Sequence, residues 1–336
     1  MRYIIIGAGA VGGSIGGRLF ESGHDVVLVA RGEHGAALRG HGLTLRTPDA
    51  TLSLPVPVAD GPDALDLRDD DVLVLATKTQ DTAAALDTWA PVAQGLPLVC
   101  AQNGVANERI ALRRFPDVYG MCVWLPSAHV EPGVVVAPCA PLTGMLHLGR
   151  YPHGTDATVS RIAADLESSA FLRAPVTDDV MRWKYAKLLT NLGNAIEALI
   201  GRDESTHALH QRARAEGAAV LDAAGIAYAS QAEQAAKRGD LVTVRPVEGA
   251  PRGGGSTWQS LSRATGSAEA DHLNGEIVLL GRLHGVPTPV NDTLRLLLNR
   301  AARARRAPGS LPAADLVAAV DAAVEAAEGS SGSSRD

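Results

Sequence analysis

Several short stretches in the first half of the chain are apolar at nearly every position, and segments of mixed polarity separate them. Continuous apolar runs are typical of parallel strands covered on both faces, because neither face meets water. The segments between them are suited to crossover helices, so the pattern predicts an α/β fold with a Rossmann-type doubly wound sheet. The predicted strands are 3–7, 25–30, 72–77, 96–102 and 118–123, followed by two strands within 133–149 around a proline-containing turn and a helix near 156–169.

After Pro175 the pattern changes to long helical runs, which predict an all-α second half. Asp178 or Asp179 is suited to be the N-cap of a helix that runs to about Ile200, with Gly201 just past its end. The other predicted elements are helices near 204–224, 268–284, 288–306 and 312–327, and a Gly- and Pro-rich loop over 238–256.

The change of pattern predicts two domains and a short tail. We expect a dinucleotide-binding domain over 1–175, an all-helical substrate domain over 176–328 and a disordered tail over 329–336. The composition is that of a globular protein, with 46% hydrophobic and 20% charged residues in 336. A net charge of −6 provides no basic field for nucleic acid or an anionic membrane, so we expect neither as a partner.

The chain shows no signal for export or for a membrane. No apolar run approaches the roughly 20 residues that a membrane span needs, and the first residues lack the long apolar region of a signal peptide. The cysteines Cys100, Cys122 and Cys139 are too scattered for a disulfide framework or a zinc site, and each lies in an apolar segment. We expect a cytoplasmic protein whose cysteines are small buried hydrophobes, with no metal.

A glycine-rich turn follows the first predicted strand and opens a helix. The run GAGAVG has the spacing G-x-G-x-x-G. In this context Gly7 permits the tight turn, Gly9 lets the backbone approach a pyrophosphate, and Gly12 lets helix and strand pack closely. The helix N-terminus also favours an anion. The motif predicts a dinucleotide site, with a ligand-free glycine turn as the alternative.

The end of the second predicted strand bears on which nicotinamide cofactor is used. An NAD site has an acidic residue there, which accepts from the ribose 2′-OH. This chain has Ala30 followed by Arg31, and a guanidinium suits a 2′-phosphate. The sequence therefore favours NADP, and an exposed solvating arginine is the alternative.

Polar side chains also follow two further predicted strands. Lys78 and Gln80 come after the strand over 72–77, and Gln102-Asn103 ends the strand over 96–102. In an open α/β sheet, ligands bind outside the carboxyl ends of the strands. Lys78 and Gln80 are therefore candidate cofactor ligands, and Asn103 is a candidate for binding nicotinamide or a substrate carbonyl.

The helix predicted up to Ile200 carries a polar stripe on an otherwise apolar surface. Lys187, Asn191 and Asn194 fall at i, i+4 and i+7, so they share one face of a helix. Buried ammonium and amide groups cost free energy unless they are paired, which indicates a ligand-binding role. Lys184 is the rival cation, and we interpret it as a rim residue whose charge reaches water.

The chain resembles the ketopantoate reductase family from its first residue to about residue 300. Such enzymes have a helical second domain similar to that of the 6-phosphogluconate dehydrogenase group. The shared elements are GAGAVG at 7–12, Arg31, the lysine of ATKTQ, QNG at 102–104, W-x-x-x-K-x-x-x-N at 183–191, S-x-x-Q at 256–259 and E-x-D-x-x-N-G at 269–275.

The resemblance implies NADPH-dependent reduction of the C2 ketone of ketopantoate to a secondary alcohol, a step of pantothenate and coenzyme A biosynthesis. It implies that Lys187 is the catalytic lysine and Glu269 an active-site glutamate. The groups that it implies for binding substrate or nicotinamide are Asn103, Asn191, Asn194 and Ser256.

Two of these residues also have a simpler interpretation. Glu269 is predicted in the first turn of a helix after Ser267 as N-cap, where the helix dipole favours a carboxylate whatever its function. Ser256 falls in the loop over 238–256, where a surface hydroxyl is common. Asn194 lies seven residues after Lys187, whereas eight is commoner in the family.

Three functions remain open from the sequence. The first is ketopantoate reduction, and the second is a family paralogue that reduces another small keto acid. The third is a non-catalytic NADPH sensor, although a sensor has no need for a proton donor such as Lys187. The apolar C-terminal helices would also support a homodimer.

Overall fold

The computed structural model describes residues 1–129, 131–202, 206–250 and 254–332. The chain divides into two compact units, and the boundary falls between Lys184 and Tyr185. The first unit contains Met1–Lys184 and Ala229–Arg252, and the second contains Tyr185–Tyr228 and Gly253–Asp336. This partition differs from the expected boundary after residue 175 in two ways. The first unit continues to Lys184, and the later segment Ala229–Arg252 also belongs to it.

The helices and strands alternate through most of the first unit and give way to helices in the second. In chain order they are β1 (Arg2–Ile6), α1 (Ala10–Glu21), β2 (Asp25–Val29), α2 (Gly32–His41), β3 (Leu43–Arg46), β4 (Thr51–Leu54), β5 (Val58–Ala59), β6 (Asp71–Leu75), α3 (Thr82–Ala93), β7 (Leu98–Cys100), α4 (Asn107–Leu112), β8 (Val118–Trp124), β9 (Val134–Val136), β10 (Cys139–Pro141), β11 (Gly144–Arg150), α5 (Ala157–Glu167), β12 (Leu172–Arg173), α6 (Val180–Asn191), α7 (Asn194–Ile200), α8 (His207–Ala223), α9 (Gln231–Arg238), β13 (Val242–Val244), α10 (Ser256–Ser262), α11 (Asn274–His284), α12 (Pro289–Arg303) and α13 (Ala313–Gly332).

The main sheet of the first unit has the order β12-β11-β8-β7-β6-β1-β2-β5. Neighbouring strands are parallel from β5 to β8, β11 pairs with β8 in antiparallel register, and β12 is parallel to β11. The predicted Rossmann-type doubly wound sheet is confirmed. The chain moves away from β1 in one direction to β2 and in the other to β6, so the switch point lies beside β1, where such sheets bind ligands.

Two hydrophobic cores cover the two faces of this sheet. Alternate residues of β1 enter different cores, with Tyr3 and Ile5 on one side and Ile4 and Ile6 on the other. The first core includes residues of α1 and α5, and the second includes residues of α3. Burial on both faces explains why the strands are apolar at nearly every position. The three cysteines are buried and unbridged, as expected.

The glycines of α1 allow it to lie between two sheets. A Cβ at Gly16 would meet Leu28 of the main sheet at 2.8 Å. A Cβ at Gly13 would meet Val135 at 2.8 Å, and one at Gly17 would meet Leu43 at 3.0 Å, both in the three-stranded sheet β4-β3-β9. Side chains on these faces would push the helix away from the strands.

Some predicted boundaries were wrong. Residues 133–149 hold three strands rather than two, namely β9, β10 and the start of β11. The predicted loop over 238–256 contains β13, which pairs with β10 in antiparallel register, and its last residue, Ser256, is the first residue of α10. The tail expected over 329–336 is helical to Gly332 at the end of α13, and residues 333–336 lie outside the described residues.

The second unit is built from helices around α12, which packs against α7, α8, α11 and α13. Leu294 and Leu298 of α12 are fully buried at its centre. The helix predicted up to Ile200 is two helices, α6 and α7, and the predicted N-cap Asp179 accepts a hydrogen bond from the Arg182 N–H at 3.0 Å. None of the helices in the described ranges is both long and apolar enough to cross a bilayer.

Candidate functional site

The glycines of the G-x-G-x-x-G turn have three different surroundings at the switch point. Gly7 has φ +100°, and a Cβ there would lie 3.0 Å from the Thr77 nitrogen, so the loops after β1 and β6 touch. A Cβ at Gly12 would collide with the Gly7 carbonyl oxygen. Around Gly9, in contrast, a Cβ would meet nothing within 4 Å. Protein packing therefore explains Gly7 and Gly12, and the open side of Gly9 leaves room for a ligand to approach the backbone.

His34 of α2 ties this turn to the rest of the unit. Its Nδ1 accepts a hydrogen bond from the Gly133 N–H at 2.9 Å, so the ring proton lies on Nε2, which donates to the Ala8 carbonyl oxygen at 2.8 Å. Burial lowers the pKa of His34, and the hydrogen bond to Ala8 opposes that shift. The neutral imidazole thus bridges the glycine turn and the segment before β9. The sequence did not single out His34.

The candidate residues at the ends of β2 and β6 lie at the rim. Arg31 is exposed at the N-cap of α2, and its guanidinium has no hydrogen-bond or ion-pair partner within the described ranges. Lys78 is half-buried at the start of a 3₁₀ turn over Thr79–Asp81, and Gln80 within that turn is exposed. Because β2, β1 and β6 are adjacent, these side chains share one edge of the sheet.

The turn after β7 is held by a network of hydrogen bonds. The Gln102 side chain donates to the Thr77 carbonyl oxygen at 2.9 Å and to Thr82 Oγ1 at 2.8 Å, which ties it to the loop after β6. Asn107 donates to the Asn103 carbonyl oxygen at 3.0 Å. The carboxamide of Asn103 itself is half-buried and makes no hydrogen bond in the described part of the chain.

Lys184 is not the rim residue that the sequence suggested. Its side chain is 2% exposed and forms an ion pair with Glu108 of α4, whose side chain is fully buried. The Lys184 ammonium also donates to the Gln102 carbonyl oxygen at 3.1 Å. The expectation failed because the partner, Glu108, is 76 residues away in the sequence and becomes a neighbour only in the fold.

In the second unit, the predicted single helix is broken at Leu192 and Gly193. The Asn274 amide donates to the Leu192 carbonyl oxygen at 3.1 Å and to Asn291 Oδ1 at 2.9 Å. A Cβ at Gly193 would collide with the His210 ring, so only glycine fits between the two helices. Asn274, in the N-G of E-x-D-x-x-N-G, therefore has a structural contact at the break.

The predicted polar stripe is divided by this break. Lys187 and Asn191 lie one turn apart on α6, and Asn194 is the first residue of α7. Asn191 is buried and its Nδ2 has no hydrogen-bond partner among the described residues, whereas Lys187 and Asn194 are half-buried. The three residues expected on one helix therefore lie on two.

Ser256 lies beside the start of α7 rather than in a loop. It is the first residue of α10, and its Oγ is buried with no hydrogen-bond partner in the described ranges. The preceding Gly255 N–H donates to Glu197 Oε2 at 3.1 Å, and a Cβ on Gly255 would lie 3.8 Å from Asn194 Oδ1. Asn194 and Ser256 are thus brought close together within the second unit.

Glu269 is buried in a 3₁₀ turn over Glu269–His272 that precedes α11. The N-cap of this turn is Ala268 rather than the predicted Ser267, and no side chain caps it. Asp271 accepts hydrogen bonds from Arg295 at 3.0 Å and from Asn299 at 2.9 Å, so it ties the turn to α12. Glu269 is buried and Asp271 is exposed, whereas the sequence pattern did not distinguish these two carboxylates.

Sequence reasoning missed Glu108, His34 and Asn274. The only sequence signal for Glu108 and Asn274 was their position in or near the Q-N-G and N-G runs, and His34 had none. No group of three or more His, Cys, Asp or Glu side chains in the described ranges is placed to hold a metal ion.

Comparison with known proteins covers both units. The family model described as "Ketopantoate reductase PanE/ApbA" matches residues 3–151, and that described as "Ketopantoate reductase PanE/ApbA C terminal" matches residues 179–302. Similar proteins include the 2-dehydropantoate 2-reductase of Halobacterium salinarum, which is 30% identical over 315 residues, 90% of this chain and 99% of the relative. That of Mesorhizobium japonicum is 30% identical over 338 residues, covering 90% and 98% of the two chains.

Solved structures are similar over the same length. The PanE/ApbA family ketopantoate reductase from Ralstonia eutropha is 29% identical, with a TM-score of 0.75 over 91% of this chain and 99% of that one. A ternary structure of D-mandelate dehydrogenase with NADH and anilino(oxo)acetate has a TM-score of 0.77 at 22% identity, over 91% and 99% of the two chains, and shares the fold.

Proposed function

The chain belongs to the ketopantoate reductase family, and on that basis we propose that it reduces the C2 ketone of 2-dehydropantoate to pantoate with NADPH. The observation that carries the proposal is the meeting of three strand-end loops at the switch point. Gly9 there faces open space, and the Asn103 carboxamide has unused hydrogen-bonding capacity. Both are what a nicotinamide dinucleotide would need from this edge of the sheet.

The residues at the switch point fit the cofactor. Gly7, Gly9 and Gly12 would hold its pyrophosphate at the N-terminus of α1, with Lys78 and Gln80 beside it. Asn103 would bind the nicotinamide carboxamide or the substrate. The cofactor supplies the hydride when it is bound.

The residues of the second unit would handle the substrate. Lys187 would donate a proton to the ketone oxygen as negative charge develops on it. Asn191 Nδ2 and Ser256 Oγ are buried and have no partner among the described residues, and such atoms cost free energy until a ligand satisfies them. We assign these two groups and Asn194 to the polar end of the keto acid, and Glu269 to the active site as a second proton-handling group.

The activity is tested by following NADPH absorbance with ketopantoate. We expect turnover by the native protein, and a loss of about 100-fold or more in kcat for Lys187→Ala with NADPH binding retained, because a positioned general acid is worth about 10²–10⁴-fold. Lys237→Ala, which removes an exposed lysine on α9, is the matched control and should leave kcat unchanged. Full turnover by Lys187→Ala would remove this residue from the mechanism.

Arg31 supports NADPH rather than NADH as the cofactor. The Arg31 guanidinium is exposed, lies next to the neutral Ala30 and has no partner in the described part of the chain, so it is available to a 2′-phosphate. Arg31→Ala should raise the NADPH KM by about 10-fold or more and leave the NADH KM nearly unchanged, since a charge-assisted bond is worth about 1.5–3 kcal/mol. An equal effect on both cofactors would contradict this assignment.

A reductase for a different small keto acid is the second candidate. The displacement of Asn194 into α7, one residue off the commoner family spacing, favours it because this residue would contact the substrate. A panel of 2-keto and 3-keto acids with NADPH distinguishes the two. A kcat/KM for another acid well above that for ketopantoate would select the second candidate.

We also propose a homodimer formed through the second unit. Leu279 and Leu283 lie four residues apart on one face of α11 and are 51% and 68% exposed. Light scattering of the native protein should give twice the monomer mass, and Leu283→Glu should give the monomer. A native monomer would exclude the dimer.

A further inference from the structure

The buried ion pair between Lys184 and Glu108 lies directly behind the turn that follows β7. The Lys184 ammonium donates to Glu108 Oε1 and to the Gln102 carbonyl oxygen. The side chains of Lys184 and Glu108 are 2% and 0% exposed, so neither charged group is in contact with bulk water. Glu108 is the second residue of α4, and Lys184 is in the second turn of α6.

Stability alone is a poor reason for such a pair. Removing two charges from water costs more free energy than their attraction returns unless the geometry is very good, and apolar side chains of similar size often replace a buried pair without loss. Here Glu108 Oε2 and Gln102 Oε1 are also buried, and neither has a hydrogen-bond partner among the residues that the structure describes. An apolar core at this position would avoid both costs.

The Lys184–Glu108 ion pair fixes one of two consecutive backbone carbonyl groups. Lys184 holds the Gln102 carbonyl, and Asn107 holds the Asn103 carbonyl at 3.0 Å. The peptide groups on both sides of the Asn103 Cα are therefore fixed from within the protein. The Asn103 carboxamide is not used in either interaction, so the turn is rigid while its amide is left for a ligand.

We infer that Glu108 and Lys184 are positioning residues for hydride transfer, which hold the Gln102–Asn103 turn so that the Asn103 carboxamide is presented in one orientation. Glu108 holds the Lys184 ammonium in position, and the ammonium holds the Gln102 carbonyl. The inference rests on the proposed function, because it takes Asn103 to bind the nicotinamide or the keto acid.

The test uses a pair of double variants. Lys184→Met with Glu108→Leu removes both charges at nearly constant volume and leaves no unpaired buried charge. Arg2→Met with Asp71→Leu is the matched control, because Arg2 and Asp71 form a buried ion pair at 2.7 Å with side chains 8% and 0% exposed. These two residues begin β1 and β6, at the opposite end of the strands from the switch point.

For the Lys184/Glu108 variant we expect kcat to fall about 100-fold, because a small misplacement of a reacting group can cost that much in rate. The NADPH Kd should change by less than about 3-fold. The amide hydrogens of residues 103–105 should exchange about 10-fold faster, because the turn has lost an anchor. The control variant should keep its kcat within about 2-fold and its exchange at 103–105 unchanged. If the double variant does not fold, Lys184→Arg, which keeps the charge but moves the donor, should show the same losses in a folded protein.

Equal kcat losses in the two double variants, or unchanged exchange at 103–105, would overturn the inference. Turnover by the native protein tests the proposed function separately. A native protein without turnover would defeat that function, and the exchange comparison would still decide whether the pair positions the turn.

Discussion

The side-chain amide of Asn274 donates a hydrogen bond to the carbonyl oxygen of Leu192 at 3.1 Å, at the point where α6 ends and α7 begins. Asn274 is 1% exposed and is held in turn by Asn291, which is fully buried and whose own amide donates to the Ala213 carbonyl oxygen. The break between α6 and α7 is therefore stabilised by side chains from α11 and α12.

We expect Asn274→Ala to lower the free energy of unfolding by about 1–3 kcal/mol, because it leaves a buried carbonyl and a buried amide without partners. It should also lower kcat, since Asn191 and Asn194 flank the break. Asn299→Ala is the control. Asn299 donates to the exposed Asp271, so its substitution should lower the free energy of unfolding by less than about 1 kcal/mol. Urea denaturation of both variants measures the difference, and equal losses would show that the break is not stabilised by Asn274.

Gly193→Ala tests the contact with His210. A Cβ at Gly193 would collide with the imidazole, so overpacking should cost about 1–3 kcal/mol. The same change in a His210→Ala background should cost much less, because the space has been vacated. Urea denaturation of the four proteins of this double-mutant cycle measures the coupling. Additive losses would mean that the two residues do not constrain each other.

His34→Leu tests whether the imidazole holds the glycine turn for the cofactor. The variant loses the hydrogen bonds to Ala8 and Gly133, and we expect the NADPH Kd to rise about 10-fold, the equivalent of one hydrogen bond. His24→Leu is the matched control, since His24 bonds the Ser168 hydroxyl at 2.8 Å on the surface of the same unit. Cofactor fluorescence measures both constants, and the same Kd in the two variants would contradict the prediction.

His147 should make the stability of the protein depend on pH. Its ring stacks on Trp183 with the centroids 4.1 Å apart, and burial, aided by the positive charge of Lys237, lowers the pKa to about 4. Below the unfolded pKa of about 6.5 the unfolded chain therefore binds more protons than the folded one, and stability is lost as the pH falls from about 6.5 towards 4.

The loss due to His147 amounts to about 3 kcal/mol between pH 7 and pH 4. His147→Phe keeps an aromatic ring beside Trp183 but cannot titrate, so the variant should lack this part of the pH dependence. Urea denaturation of both proteins at the two pH values measures it, because other titrating groups cancel in the difference. A parallel decline of both proteins would mean that His147 is not the group responsible.

Much of the first unit could be predicted because its signals are local. The strands that became β1, β2, β6, β7 and β8 are apolar at nearly every position, since each is covered on both faces. The glycine turn was recognisable because it follows a strand and opens a helix. The short elements α9 and β13 were missed because exposed residues carry little hydrophobic pattern.

The two lysines of α6 show what a sequence pattern cannot predict, namely which side chain is buried. Lys184 and Lys187 both fit a polar position on α6, and the spacing to Asn191 favoured Lys187 without showing where Lys184 lies. Its burial depends on Glu108, and a charge can be buried only where an opposite charge is placed to meet it.

The sequence by itself determined the parallel sheet, the glycine turn and the family, because these depend on apolar runs and on spacings between residues near one another in the chain. Only the tertiary structure decided that Lys184 is paired with Glu108 and where the long helix breaks. Those outcomes depend on Glu108, His210 and Asn274, which lie far from Lys184 and Gly193 in the chain and act on them only through contacts made on folding.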